Sequence, residues 1–298
     1  MKKQIFIAGI AVLSLIMIVF INSAQNFDRI DELYVFGDSL SDVGNVFEAT
    51  GGAYPPNPPY FQGRYSNGRL WVEHLADKLE LSPKQTANFA WGGATSGINS
   101  NDVPGLLAQV QSFIDSKQEV NPQALATIWS GANDYLHGAT NPIKSVENLS
   151  RAIALLSQAG IKNILVANLP DLGQLPATRN NPNSETLTAL TNAHNLNLSK
   201  SLDELKQQLN SDTQIIEFDV YSLYQEAITN PAKFGFINVS DTCLNQSPQT
   251  PESESNSPQI ASTITVCERP AQFLFWDGIH PTAAAHQILA EKAFLAIK

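Results

Sequence analysis

The 298-residue sequence is poor in cysteine, in basic residues and in charge of either sign. It holds two cysteines, Cys243 and Cys267, and neither has a histidine beside it. That is too small a ligand set for a zinc or cluster site, so no metal is expected. Lysine and arginine number 18 against 28 aspartates and glutamates, for a net charge of −10. No basic stretch stands out, which argues against a nucleic-acid partner. No internal repeat is evident, so a solenoid or propeller is not expected. The hydrophobic fraction of 43% is that of a globular protein with a full core.

Long apolar runs are also scarce, with one exception. Residues 5–21 are almost wholly apolar, Lys2 and Lys3 precede them, and Asn22-Ser23-Ala24 follows as a small-residue patch. Residues 1–24 therefore read as a signal peptide or, since the run is nearly long enough to span a bilayer, as an uncleaved N-terminal anchor and a means of membrane association through residues 5–21. Either reading exports residues 25–298, to the periplasm or the outside. In that compartment Cys243 and Cys267 are expected to pair, and a loop of that length adds about 3 kcal/mol on the chain-entropy model. Between them, residues 245–262 collapse to a Pro/Ser/Glu-rich, low-complexity insertion.

From residue 25 on, short apolar runs alternate with helical patterns. Strands are predicted over Leu33–Phe36, Thr86–Ala90, Ala124–Trp129, Ile161–Ala167 and Gln214–Phe218. Helices are predicted over Leu70–Leu79, Val103–Ser116, Pro142–Ala159, Ser184–Leu209, Tyr221–Ile228 and Ala283–Ile297. Regular alternation implies one domain with a mainly parallel sheet and helices on both faces. The loop GGAYPPNPPYFQGRYSNGR carries too many aromatics for a simple tether, and reads as a packed loop rimming a site or as a surface loop folded on itself. His74 reads as a surface or boundary residue, and His194 as a satisfied, half-buried one.

Ser39 follows the first strand at the break made by Gly37, among the helix-starting residues Asp38, Ser41 and Asp42. Two readings stay open. A serine there is an ordinary helix N-cap. As a nucleophile it needs a base, an orienter for that base and an oxyanion hole elsewhere in the chain. Asp277-Gly278-Ile279-His280 can supply the first two. An aspartate three residues before a histidine at a helix-opening turn reaches Nδ1 and leaves Nε2 free to take a proton, although the same pattern suits a cap beside a surface histidine. Gly92-Gly93 and Asn133 also fall at strand-end loops, and in a parallel sheet those ends share one edge. One edge then collects a hydroxyl, glycine N–H donors, an amide and a carboxylate–imidazole pair, a kit for acyl transfer. The Gly-x-Ser-x-Gly elbow of α/β-hydrolases is absent, because Gly37-Asp38-Ser39-Leu40-Ser41 lacks the last glycine.

FGDSLSDVGN, NFAWGGAT, GAND and WDGIHPT, in that order, resemble the four blocks of the GDSL family of the SGNH hydrolase superfamily, on its lipase/acylhydrolase branch. GRYSNGRLWVE and NLPDLGQLP resemble further segments of that branch, and the likeness spans nearly all of residues 32–298. The resemblance implies a three-layer α/β/α sandwich around a five-stranded parallel sheet in flavodoxin-like order. It implies Ser39 as nucleophile with Asp277 and His280, and an oxyanion hole of Ser39, Gly93 and Asn133. It implies no cofactor and no metal, a small-molecule or lipid ester as substrate, and hydrolysis through an acyl-enzyme. A monomer is expected. Three other readings stand beside this one: a carbohydrate O-acetylesterase, a lipid acyltransferase of the same fold, and an exported binding protein with a dead site. The insertion at 245–262 is the departure from the family pattern.

Overall fold

The run Leu33-Tyr34-Val35-Phe36 is extended, as its aromatic and β-branched residues favour, and forms strand β1 (Glu32–Gly37) of the computed structural model. The structure describes residues 29–100, 102–116, 119–247 and 263–298. The leader 1–24, its apolar run 5–21 and the part of the insertion over 248–262 lie outside the described residues. Residues Ile30–Ile297 group into one compact unit. Among the described residues no helix is long and apolar enough to cross a membrane.

Strand β1 pairs with β2 (Thr86–Asn88) on one side and β3 (Ala124–Trp129) on the other, followed outward by β4 (Asn163–Ala167) and β5 (Gln214–Phe218). All four pairings are parallel. The order β2-β1-β3-β4-β5 is that of a flavodoxin-like sheet, with its switch point between β1 and β3. β3 is the middle strand and every residue in it is buried, as a strand covered on both faces must be.

Alternation along the strands sends side chains to two helical layers. Tyr34, Phe36, Ala126, Ile128, Ile164 and Val166 pack under α3 (Leu106–Asp115), α5 (Pro142–Gln158) and α6 (Ser184–Gln208). On the other face Trp71, in α2 (Trp71–Lys78), meets the rings of Trp129 and Phe218, and α2 lies along α8 (Ala283–Ile297). The result is the three-layer sandwich expected. The remaining α-helices among the described residues are the five-residue α1 (Asn45–Ala49) and α4 (Ala132–Leu136), and α7 (Val220–Thr229).

Local rules set most boundaries and tertiary contacts move the others. Asn141 caps α5 through its side chain at Ile143 N, with Pro142 in the first turn. The α3 pattern extends back to Val103, but the helix starts at Leu106. Val103–Pro104 instead pairs antiparallel with Asn99–Ser100, and the N–H groups of Leu106 and Leu107 donate to the carbonyls of Thr95 and Gly97. No helix starts at Ser39. The carbonyl of Asp38 accepts from both Ser41 N and Asp42 N, making a turn, and Asp42 Oδ1 then accepts from Gly44 N and Asn45 N to open α1. Gly44 holds the N-cap position, the Asp42 carboxylate two residues earlier accepts from the first N–H groups, and among the described residues Ser39 makes no capping bond.

The insertion also differs in its bounds. Leu244–Ser247 and Thr263–Val266, strands β7 and β8, form an antiparallel ladder, so the first residues of the low-complexity stretch are strand. Cys243 and Cys267 are bonded at its base, with Cα atoms 4.8 Å apart, and Cys243 packs with Leu244 and Trp276. Beside it β6 (Asn238–Thr242) pairs in parallel with β9 (Phe273–Phe275). That small sheet, separate from the central one, delivers Asp277 and His280.

Candidate active site

Ser39 sits on the turn that leaves β1 at its carboxyl end. Gly37 is needed there because any Cβ would lie 2.5 Å from the carbonyl oxygen of Trp129 on β3. Gln109 of α3 holds the same peptide: its amide donates to Gly37 O at 2.8 Å and its carbonyl accepts from Gly37 N at 2.9 Å. The turn carrying Ser39 is therefore bolted to the adjacent strand and to a helix.

The hydroxyl of Ser39 lies 2.8 Å from His280 Nε2. His280 Nδ1 lies 2.7 Å from Asp277 Oδ2 and 2.9 Å from Oδ1. Asp277 Oδ1 also accepts from the backbone N–H groups of Ile279 and His280, so the capping reading of Asp-x-x-His holds together with the histidine-orienting one. Burial alone would push the Asp277 carboxyl up. The charge of His280 and the hydrogen bonds from His280, Ile279 and Tyr60 outweigh it and hold the group at about 2. An ionised Asp277 requires Nδ1 to carry the proton, which leaves Nε2 as the acceptor facing Ser39. The α8 helix begins at Ala283, two residues after Pro281; a bridge between Phe275 and Pro281 and the hydrogen bond from Ser66 Oγ to Pro281 O fix the segment between.

Donors for a developing negative charge come from the turns after β2 and β3. Gly92 N is occupied by Asp42 Oδ2 at 2.8 Å, whereas among the described residues no hydrogen bond engages Gly93 N. Gly93 has φ 79°, a conformation that favours glycine. Asn133, in α4, is 8% exposed and donates through Nδ2 to the carbonyl of Ala94 at 2.9 Å. That bond ties the amide to the Ala94–Thr95 peptide, one peptide beyond Gly93, and among the described residues its second N–H is uncommitted. Asp134 beside it accepts from Ser96 N and Ser96 Oγ, clamping the β2 and β3 loops together.

The cleft above Ser39 and His280 has a volume of about 30 Å³ and a largely apolar wall. Leu172 and Leu175 from the NLPDLGQLP loop after β4, with Leu136 and Ile279, supply most of it. Tyr224 of α7 completes the wall, buried and in ring contact with Phe275. Asp38, buried beside Ser39, is pushed up to about 6 by desolvation, against the hydrogen bond from Leu40 N and the charge of His280.

The structure thus brings Ser39, Asp277, His280 and Asn133 to one cleft and sets Gly93 next to the residue that Asn133 holds. Sequence reasoning missed Tyr60, whose hydroxyl donates to Asp277 Oδ2 at 2.7 Å, and Tyr65, whose ring lies 5.2 Å from that of His280. Their signal was the aromatic excess of the Gly/Pro loop, which does rim the site. His194 is fully buried, not half-buried. Its Nδ1 is 2.7 Å from Tyr135 Oη, and burial pushes it down to about 4.

Residues 33–293 match the family described as GDSL-like lipase/acylhydrolase. The chain is 29% identical to the phosphatidylcholine-sterol acyltransferase of Aeromonas hydrophila, over 92% of the chain and 92% of that protein. It is 28% identical to the thermolabile hemolysin of Vibrio parahaemolyticus (91% of the chain, 65% of that protein). It is 31% identical to the secreted effector protein SseJ of Salmonella typhimurium (88% of the chain, 62% of that protein). The chain therefore spans under two thirds of the length of these last two. Among solved structures it is similar in fold to a member of the lipolytic G-D-S-L family from Veillonella parvula, with TM-score 0.50 and 17% identity over 89% of this chain and 96% of that one. A second fold likeness is to LAE5, an alpha/beta hydrolase enzyme from the metagenome of Lake Arreo, with TM-score 0.51 and 14% identity over 90% of this chain and 94% of that one.

Proposed function

The chain belongs to the GDSL-like lipase/acylhydrolase family and is a carboxylic ester hydrolase; from that premise we propose that it is an exported serine esterase acting on apolar acyl esters of the lipid type, through an acyl-enzyme on Ser39. The observation that carries the assignment is the unbroken chain of contacts from Ser39 Oγ to His280 Nε2 and from His280 Nδ1 to Asp277.

In this reading Ser39 Oγ attacks the ester carbonyl carbon as its proton passes to His280 Nε2. The carbonyl oxygen becomes an oxyanion and accepts from Ser39 N, Gly93 N and the free N–H of Asn133. The tetrahedral intermediate collapses, His280 protonates the leaving alkoxide, and the alcohol departs. Water then attacks the acyl-enzyme, gives its proton to His280, and Ser39 regains its proton as the acid leaves. The leucine-rich wall beside Ser39 supports an apolar acyl group as the part of the substrate that meets it. Export rests on the composition of residues 1–24, and agrees with the name of the secreted relative.

A second reading, transfer of the acyl group to an alcohol, is favoured by the likeness to an acyltransferase along nearly its full length. Hydrolysis of a p-nitrophenyl ester series from acetate to palmitate, by the wild type and by Ser39→Ala, tests the main reading. Ser39→Ala is expected to lose about 10⁴-fold or more in turnover. Full activity in that variant would reject the nucleophile. Product analysis with an added sterol or long-chain alcohol separates ester formation from hydrolysis.

A further inference from the structure

We propose that Tyr60 is a positioning residue of the active site, setting the orientation and effective charge of Asp277 and thereby linking the aromatic loop at residues 51–70 to the basicity of His280. The inference rests on the assignment of Ser39, His280 and Asp277 given above.

The geometry is specific. Tyr60 Oη is 2.7 Å from Asp277 Oδ2, the oxygen that also faces His280 Nδ1 at 2.7 Å. Asp277 is ionised and has no proton to give, so the phenol donates. Burial and the adjacent carboxylate both push the Tyr60 phenol up, which keeps it protonated across the working range. One carboxylate oxygen thus serves two donors, an imidazole N–H and a phenol O–H. The other oxygen is held by two backbone N–H groups. With both oxygens engaged the carboxylate cannot rotate away from Nδ1. The phenol also draws charge from Oδ2, so Asp277 stabilises a protonated His280 less than an unshared carboxylate would.

Tyr60 is itself placed by packing. Its ring meets Trp276, the residue before Asp277, and Tyr65, whose own ring lies against His280 and against the exposed Tyr54. A substrate pressing on Tyr54 therefore touches a string of rings that ends at the Asp277 carboxylate. The groups facing the Asp277–His280 pair are Tyr60 and Tyr65 from this loop, Asp38 and Ser39 from the β1 turn, and His286 from α8. Asp38 and His286 interact with His280 through charge.

The test is Tyr60→Phe, which keeps the ring and removes the donor, assayed with p-nitrophenyl butyrate across pH and again in an Asp277→Asn background. Three results are expected. Turnover falls about tenfold with KM within about twofold, the size of one lost charge-assisted hydrogen bond. The acidic limb of kcat/KM moves to higher pH by about half a unit, because the less neutralised carboxylate favours protonated His280. In Asp277→Asn, adding Tyr60→Phe changes nothing further. An unshifted acidic limb, or an equal loss in both backgrounds, overturns the proposal. Ser39→Ala run in parallel separates the two failures. Activity surviving in that variant sinks the site assignment, whereas an inactive Ser39→Ala beside an unaltered Tyr60→Phe sinks only the role of Tyr60.

Discussion

Asn133 spends one N–H of its side-chain amide on Ala94 O, and in the proposed function the other serves the substrate, which divides its work between structure and chemistry. Asn133→Ala removes an oxyanion donor and is expected to lower kcat about 100- to 1,000-fold while leaving KM nearly unchanged. A fall in KM-dependent binding with kcat intact would remove Asn133 from the oxyanion site. The amide also anchors the Gly93 turn, so Asn133→Asp, which cannot donate to Ala94 O, is expected to be no better than alanine. We propose Gly93 rather than Gly92 as the backbone donor on two physical grounds: among the described residues its N–H is unengaged, and no atom crowds the position a Cβ would take.

At the scale of elements, the segment bearing Asp277 and His280 hangs on the short β6–β9 pair, and the central sheet does not carry it. Its hold on the body comes from scattered bonds. Ala177 N donates to Gly278 O, Ser66 Oγ to Pro281 O, and Cys243 N and Leu244 N to the carbonyls of Phe275 and Trp276. The disulfide packs against Trp276 next door. Replacing both Cys243 and Cys267 by serine opens a link across 24 positions of sequence. The double variant is expected to lose about 3 kcal/mol of stability in chemical denaturation. Esterase activity should drop at a lower denaturant concentration than in the wild type. An unchanged midpoint would show that the β7–β8 ladder alone secures the segment.

Across the whole molecule, two histidines far from solvent shape the response to acid. Burial pushes His194 down to about 4 and His286 down to about 3, from an ordinary 6.5. Between pH 6.5 and those values the unfolded chain takes up protons that the folded chain refuses, so each histidine lowers stability as pH falls through that window. Asp38, raised to about 6, acts with the opposite sign above the normal carboxylate range, since there the folded state holds the extra proton. Asp42 and Asp134 are raised as well, also by burial. The net slope mixes these groups, but the contribution of His194 can be isolated. His194→Gln, with an amide in place of the ring facing Tyr135, is expected to flatten the stability profile between pH 6.5 and 4 by up to about 1.4 kcal/mol per pH unit. Thermal melts across that range check it, and an unaltered slope would mean that His194 takes up its proton in the folded protein at ordinary pH.

What the sequence determined by itself was the part written in local terms. β3 and β5 keep the bounds read from their apolar runs, because a short apolar run between breakers has one way to be buried. The order of strands and helices was legible because parallel strands need crossovers, and crossovers leave helical patterns. The candidate residues were legible because each lies in a short motif at the end of a strand. What only the tertiary structure decided involves atoms distant along the chain. Tyr60 and Asp277 are 217 positions apart, and nothing in either motif foretells their hydrogen bond. The Asp42 carboxylate that accepts from the start of α1 also accepts from Gly92 N, 50 residues away. The burial of His194 depends on Tyr135 arriving from a different helix. Periodicity and capping act over a few residues and can be read from a string; hydrogen-bond partners and desolvation are set by which surfaces meet when the layers close.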